Sequence, residues 1–368
     1  MRNWSHIAIA LTLWTAAPVL ADPGADFAEA LRHHSGEGVL QDYARAADLL
    51  HSAAKAGHAG AQNMLGRYYF EGLGVAADRT RSIAFLETAA AAGDPGHVLD
   101  LAQVLETDPA TLPRAASLYE RAAAAGLADA AVSLGVLYQN GRGVPQDYAR
   151  AHALYSAPAA QGHARALNNL GLLYVRAHGV EQDYERAATL FAAAAEQGLK
   201  EAMRNLGVLY ENGFGVALDE ARAQDLYRAA GQGMTAAPLA YRGDARLAEP
   251  QDDVRLANAA QAGDPIAQFQ WALAALTAQD ASFTDRRNAS RFMVRTAQQG
   301  HGPSMYNLGL LYMRGIGVAQ DYVLAHKWLL LAQARGVDGA ADAVRQTARQ
   351  MTPAQINDAQ ARAKAHAG

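Results

Sequence analysis

The chain contains no cysteine in its 368 residues, which excludes disulfide staples and a cysteine-based lipid anchor. It also lacks a dominant charge. Lys and Arg number 32 against 36 Asp and Glu, a formal net charge of -4; with no dense basic run, there is no electrostatic footprint for a nucleic acid backbone. Beyond the first residues, no apolar stretch approaches the length that crosses a bilayer. Several catalytic signatures are missing: there is no H-E-x-x-H, no G-x-S-x-G elbow, and no S-D-N or K-T-G. Hydrophobic residues nevertheless make up 51% and charged ones 18%, enough to build a core and too apolar for global disorder.

The N-terminus reads MRNWSHIAIALTLWTAAPVLADPG, with Arg2, an apolar stretch from Ile7 to Leu20, and small residues at the end. This pattern predicts a secretory signal over residues 1–21, cleaved after about Ala21. The expected location is the periplasm or the medium, with no stable membrane insertion once the signal is removed.

The remainder repeats itself. NMLGRYYFEGLGVAAD, VSLGVLYQNGRGVPQD, NNLGLLYVRAHGVEQD, RNLGVLYENGFGVALD and YNLGLLYMRGIGVAQD align without a gap. In each, 12 residues separate a glycine (Gly66, Gly135, Gly171, Gly207, Gly309) from an aspartate (Asp78, Asp147, Asp183, Asp219, Asp321). A further 15 usually lead to another glycine and 9 more to the next Leu-Gly, a period of 36. Such a period with helical patterning predicts stacked helix pairs. In the unit around Gly207, Ala202, Leu206 and Tyr210 share one face of the first helix. A glycine inside that helix costs about 1 kcal/mol against alanine, so it is expected to mark a close helix crossing. Gly213 and Gly215 form a tight loop, Asp219 is an N-cap, and Ala223, Leu226, Tyr227 and Ala230 line the second helix.

The pattern A-x-x-x-L-G-x-x-Y, G-x-G-V-x-x-D, A-x-x-aromatic, standing here as Ala202, Leu206, Gly207, Tyr210, Gly213, Gly215, Val216, Asp219, Ala223 and Tyr227, resembles the Sel-one-like repeat (SLR) family, relatives of the tetratricopeptide repeats. The expected fold is all-α: an α-α superhelix, a solenoid of about nine antiparallel helix pairs with a C-terminal capping helix. Residues 22–233 hold units one to six, the third degenerate with TDPATLP in place of its glycine loop. Residues 234–300 hold degenerate units seven and eight and a possible bend, 301–337 the ninth, and 338–368 the capping helices. Thr352, Pro353 and Gln355 predict a capping box at the start of the last helix.

The resemblance implies a partner-binding scaffold rather than an enzyme, and the residues agree. Ser52 and Lys55 match S-x-x-K, which keeps a β-lactam or cell-wall enzyme open as an alternative, but the companion motifs are absent. A self-associating structural protein is the other alternative. His58, His163 and His301 recur after unit-ending glycines and suggest structure rather than metal; no metal and no cofactor are expected. The G-x-G loops lack the preceding strand of a dinucleotide site. A protein or peptide partner is expected along the concave wall made by the first helices. The candidate contacts are the residues there that vary between units: Arg67, Tyr68, Gln139, Arg176, Arg204, Glu211 and Arg314. Asn169, Asn205 and Asn307 are expected to make structural hydrogen bonds.

Overall fold

The computed structural model describes residues 22–232, 239–244, 253–278 and 280–367. The predicted signal segment lies outside them. The described residues form α-helices joined by short loops, with one 3₁₀ turn and no strand. Six helix pairs come first: α1 (Pro23–Ser35) with α2 (Tyr43–Lys55), α3 (Ala59–Glu71) with α4 (Arg79–Ala91), α5 (Pro95–Glu106) with α6 (Leu112–Ala124), α7 (Ala128–Asn140) with α8 (Tyr148–Ala160), α9 (Ala164–Arg176) with α10 (Tyr184–Glu196), and α11 (Lys200–Asn212) with α12 (Glu220–Gln232). A single helix α13 (Asp253–Ala262) follows. Two further pairs come next, α14 (Pro265–Thr277) with α15 (Phe283–Gln298) and α16 (Gly302–Arg314) with α17 (Tyr322–Ala334), before α18 (Ala340–Ala348) and α19 (Pro353–Ala367). The first helix of each pair is called A and the second B.

The glycine inside each A helix does what the spacing predicts, and its partner is the B helix of the same unit. A methyl group on Gly66, Gly135, Gly171, Gly207 or Gly309 would lie 2.4–2.7 Å from Leu86, Tyr155, Phe191, Tyr227 or Leu329, always 20 residues on. The glycine thus lets a large side chain lie flat on helix A, and burying such a side chain is worth about 1.5–3 kcal/mol, more than the helix propensity lost. Asp42, Asp78, Asp147, Asp183, Asp219 and Asp321 each accept from the amide three residues on, at 2.8–3.0 Å. These caps fix the start of each B helix.

The loop glycines have unequal roles. The first ends helix A in the left-handed region; the second packs against the first residues of the preceding unit's B helix. Gly74 would drive a methyl group to 2.3 Å from the Tyr43 carbonyl, and Gly215 to 2.3 Å from that of Tyr184. In the unit of α9, Ala177 stands where the first loop glycine belongs, and its φ is 54°. A left-handed non-glycine residue costs about 1–2 kcal/mol, part of which returns because glycine loosens the unfolded chain. Ala177→Gly is therefore expected to raise stability by about 0.5–1 kcal/mol in urea titration.

The degenerate third unit keeps both helices. The 3₁₀ turn Pro109–Thr111, entered through Asp108, replaces its glycine loop. The seventh unit falls in the span read as degenerate with a possible bend. Its residues 239–244 are not helical; they contain Gly243 and follow Pro238, and they lie against α16. Among the described residues the array therefore holds eight helix pairs and a lone α13.

The C-terminus also does more than cap. The Thr352–Gln355 capping box forms as expected, and α19 packs on α17. The polar side chains of α19, however, reach the loops of the first two units. Asn357 accepts from Gly74 N–H at 3.0 Å and donates to the Gly72 carbonyl at 2.9 Å. Gln360 accepts from Tyr43 N–H at 2.9 Å, and Lys364 pairs with Asp42 at 2.7 Å. Gln333 of α17 donates to the Ser35 carbonyl at 2.9 Å. The last helix is thus seated on the first loops.

One buried group sets a pH response. His326 in α17 is 1% exposed and neither ring nitrogen has a hydrogen-bond partner. Burial alone pushes its pKa from 6.5 down to about 4. The unfolded chain takes up this proton as the pH falls through 6.5, whereas the native chain waits until about 4, so native stability drains away across that window. Between pH 8 and pH 5 the loss is about 2 kcal/mol from this residue. Urea midpoints of the wild type and His326→Leu at the two pH values are expected to diverge by that amount, the variant being less acid-sensitive.

Candidate docking surface

The seven predicted contact residues separate once placed. Tyr68 is not a surface residue: it is 1% exposed, and its hydroxyl lies 2.9 Å from His34 Nδ1. It occupies the position two after the helical glycine, where the other units put Leu137, Leu173, Leu209 and Leu311, all buried. Its variation reflects a repacked core, and burial pushes its hydroxyl pKa far up. Gln139 and Glu211 share one position and serve their own units. Tyr155 donates to Gln139 at 3.0 Å and Tyr227 to Glu211 at 2.7 Å. Desolvation first, then the Glu211 carboxylate, holds the Tyr227 hydroxyl up at about 12.

The arginines remain. Arg67 is exposed and loosely paired with Glu71 at 3.8 Å, beside a cleft of about 280 Å³ that also takes in His34, Asn63 and His97. Arg176 and Arg204 are exposed and make no hydrogen bond or ion pair among the described residues. Arg314 is engaged: its guanidinium donates to the Leu239 carbonyl and covers the Tyr241 ring, 5.4 Å from the centroid.

That contact belongs to a larger one. Residues 239–244 lie along the A helix α16 and are held at three more points. The Asn307 side chain accepts from Arg242 N–H at 2.7 Å and donates to the Arg242 carbonyl at 2.8 Å, pairing with the backbone as a neighbouring strand would. His301 Nε2 lies 2.9 Å from Asp244. The Arg242 guanidinium lies over Tyr306 at 5.8 Å. The asparagines of α9 and α11, by contrast, bond to one another: Asn205 donates to Asn168 at 2.8 Å, and Asn168 to Asn169 at 3.3 Å.

The histidines after the unit-ending glycines are N-caps. His58, His163 and His301 each accept, through Nδ1, from the amide three residues on, at 3.1–3.3 Å. With Ser304 Oγ at 2.7 Å from His301 Nδ1 and Asp244 at 2.9 Å from Nε2, α16 carries a serine-histidine-aspartate chain. Its geometry suits a cap rather than a nucleophile, since Ser304 is fully buried and its Oγ also accepts from the Thr296 hydroxyl at 2.7 Å. Ser52 is likewise tied down, donating to Asp26 at 2.5 Å. No group of three His, Asp or Glu residues among the described ones is placed to hold a metal ion.

Two recurring contacts escaped the sequence reading. Arg81, Arg150, Arg186 and Arg222, three after the capping aspartates, lie over Tyr69, Tyr138, Tyr174 and Tyr210 at 4.5–5.5 Å. The glutamines before the caps, Gln41, Gln146, Gln182 and Gln320, donate seven residues back to the carbonyls of His34, Gln139, Val175 and Met313. Both signals were present as register: an Arg at a fixed offset and a Gln-Asp dipeptide.

Comparison with known proteins agrees with this architecture. The Sel1 repeat matches residues 28–58, 59–94, 112–127, 128–163, 164–199, 200–233 and 302–337. The chain is similar to the crystal structure of c5321, a protective antigen of uropathogenic Escherichia coli strains with an SLR fold, at 27% identity and a TM-score of 0.51, over 94% of this chain and 84% of that one. It is also similar to a Sel1 repeat protein from Oxalobacter formigenes, at 32% identity and a TM-score of 0.52, over 57% of this chain and 88% of that one. No curated protein matches.

Proposed function

The chain belongs to the Sel1 repeat family, and on that premise we propose that it is an exported, non-enzymatic docking protein whose A-helix face holds a stretch of a protein or peptide partner. Sel1 repeat proteins generally mediate protein–protein contacts. The observation that carries the reading is the seat of residues 239–244 on α16, where the Asn307 side chain of an A helix takes a non-helical backbone at both its N–H and its C=O. Such backbone pairing gives affinity without a demanding sequence requirement. Export rests on the signal pattern of residues 1–21 and fits the description of the similar Escherichia coli protein as a protective antigen.

Arg176 and Arg204 are the exposed cations on this face with nothing to hold, and they suit a partner carrying carbonyl or carboxylate groups. The test is affinity capture from an envelope extract with the chain lacking residues 1–21. A specific partner should be recovered by the wild type and lost, by about tenfold or more, with Arg176→Glu and Arg204→Glu together. Undiminished capture by the double variant would show that the partner docks elsewhere.

A further inference from the structure

The clamp on α16 consists of three side chains at fixed offsets from Gly309: His301 eight before, Asn307 two before and Arg314 five after. Of the four other units with the helical glycine, one repeats all three. On α9, around Gly171, these positions are His163, Asn169 and Arg176. The unit of α3 has His58, Met64 and Glu71; that of α7 has Leu127, Ser133 and Asn140; that of α11 has Leu199, Asn205 and Asn212. None of these pairs an asparagine with an arginine.

On α16 the three residues are spent on the chain's own segment. On α9 they are not. Arg176 is exposed and without a partner among the described residues. Asn169 is half-buried; its carbonyl accepts a long bond from the neighbouring Asn168, 3.3 Å, and its side chain also meets the Tyr155 hydroxyl, contacts a peptide backbone would replace. His163 already has a carboxylate, Asp129 of α7 at 3.1 Å, in the role that Asp244 plays at His301.

We propose that α9 is a second, open copy of the α16 clamp, and that it takes an extended peptide of a partner protein with an aromatic residue just before the clamped one. The inference deepens the reading of the A-helix face as a docking surface and rests on it. The chain's own segment gives the register. Asn169 would pair with the N–H and C=O of one residue, as Asn307 does with Arg242. Arg176 would cover the ring of the residue before it, as Arg314 covers Tyr241, and donate to the carbonyl three residues before the clamped one, as Arg314 does to that of Leu239. The aromatic is selected because a guanidinium over a ring face is a cation–π contact that an aliphatic side chain cannot supply. No acid is needed at the position of Asp244, since Asp129 fills that role and would repel a second carboxylate.

A fluorescein-labelled hexapeptide of residues 239–244, Leu-Ala-Tyr-Arg-Gly-Asp, is the probe, read by anisotropy against the full chain. Saturable binding is expected. It should weaken about tenfold or more with Asn169→Ala or Arg176→Ala, weaken by about tenfold when the peptide's tyrosine is alanine, and strengthen when its aspartate is asparagine. Arg228→Ala, on the B helix α12 where the residue pairs only with Asp225, should leave it unchanged. Arg176 is exposed, so its variant keeps the test decisive if Asn169→Ala perturbs the helix. No binding, or binding lost with Asn307→Ala and kept with Asn169→Ala, overturns the inference, the latter meaning that the peptide displaces the resident segment. Self-association of the wild type that Tyr241→Ala abolishes would make the occupant a second copy and overturn it too. A captured envelope partner that is lost with Arg176→Glu and Arg204→Glu, alongside a peptide that does not bind, would leave the docking surface standing and remove only this assignment.

Discussion

Gly215→Ala is expected to cost about 3–5 kcal/mol, and Gly162→Ala only about 1–2. Both glycines sit in the left-handed region, with φ of 65° and 82°, so both alanines bear the same conformational strain. They differ in what lies ahead of the new methyl group. At Gly162 there is nothing within 4 Å, whereas at Gly215 the Tyr184 carbonyl carbon is at 2.3 Å and the Glu185 nitrogen at 2.4 Å. These are main-chain atoms in the first turn of α10, pinned by the Asp183 cap, and cannot swing aside as a side-chain tip would. The excess over Gly162→Ala thus measures the contact between successive units. Because an array can unfold in parts, urea midpoints should be read alongside hydrogen exchange in α10 and α11. Equal costs at the two sites would mean that the loop glycine is only a turn residue.

The second large effect is at the crossing within a unit. Gly135→Val is expected to cost about 2–3 kcal/mol despite the better helix propensity of valine. The first added carbon would lie 2.4 Å from Tyr155 Cε1, and Tyr155 has nowhere to go: it is fully buried and its hydroxyl is bonded to Gln139. Gly231, near the end of α12, is the control. Nothing lies within 4 Å of it, so Gly231→Ala should be neutral or slightly stabilising. Destabilisation at Gly231 as large as at Gly135 would remove the packing explanation.

The legible features were those set within one unit. Gly207, Gly215 and Asp219 could be read because turns, caps and crossings are local, and five repetitions in register turn a weak pattern into a strong one. Tyr68 differs from the leucines at its offset from the glycine, and variation there signals a repacked core as readily as a contact, since Leu137 and Leu173 at the same offset are buried too. What joins distant parts of the chain left no periodic trace. Asn357 meets Gly74 across 283 residues, and a polar face on a terminal helix is equally suited to solvent. Residues 239–244 were illegible for the opposite reason: they break the period, and a break announces neither the course of the chain nor the helix that will hold it. Asn307 was correctly assigned a hydrogen bond, but its partner, the Arg242 backbone, could not be read from the sequence.

The functional account depends on that one contact, and the exchange rate of the Arg242 amide tests it most directly. Bonded to Asn307, this N–H should exchange well below the rate of an unstructured peptide in the wild type and return to that rate in Asn307→Ala, with the protection of α16 itself retained. An Arg242 amide that exchanges freely in the wild-type chain would contradict the account, because the A-helix face would then have no resident backbone to show how it binds one.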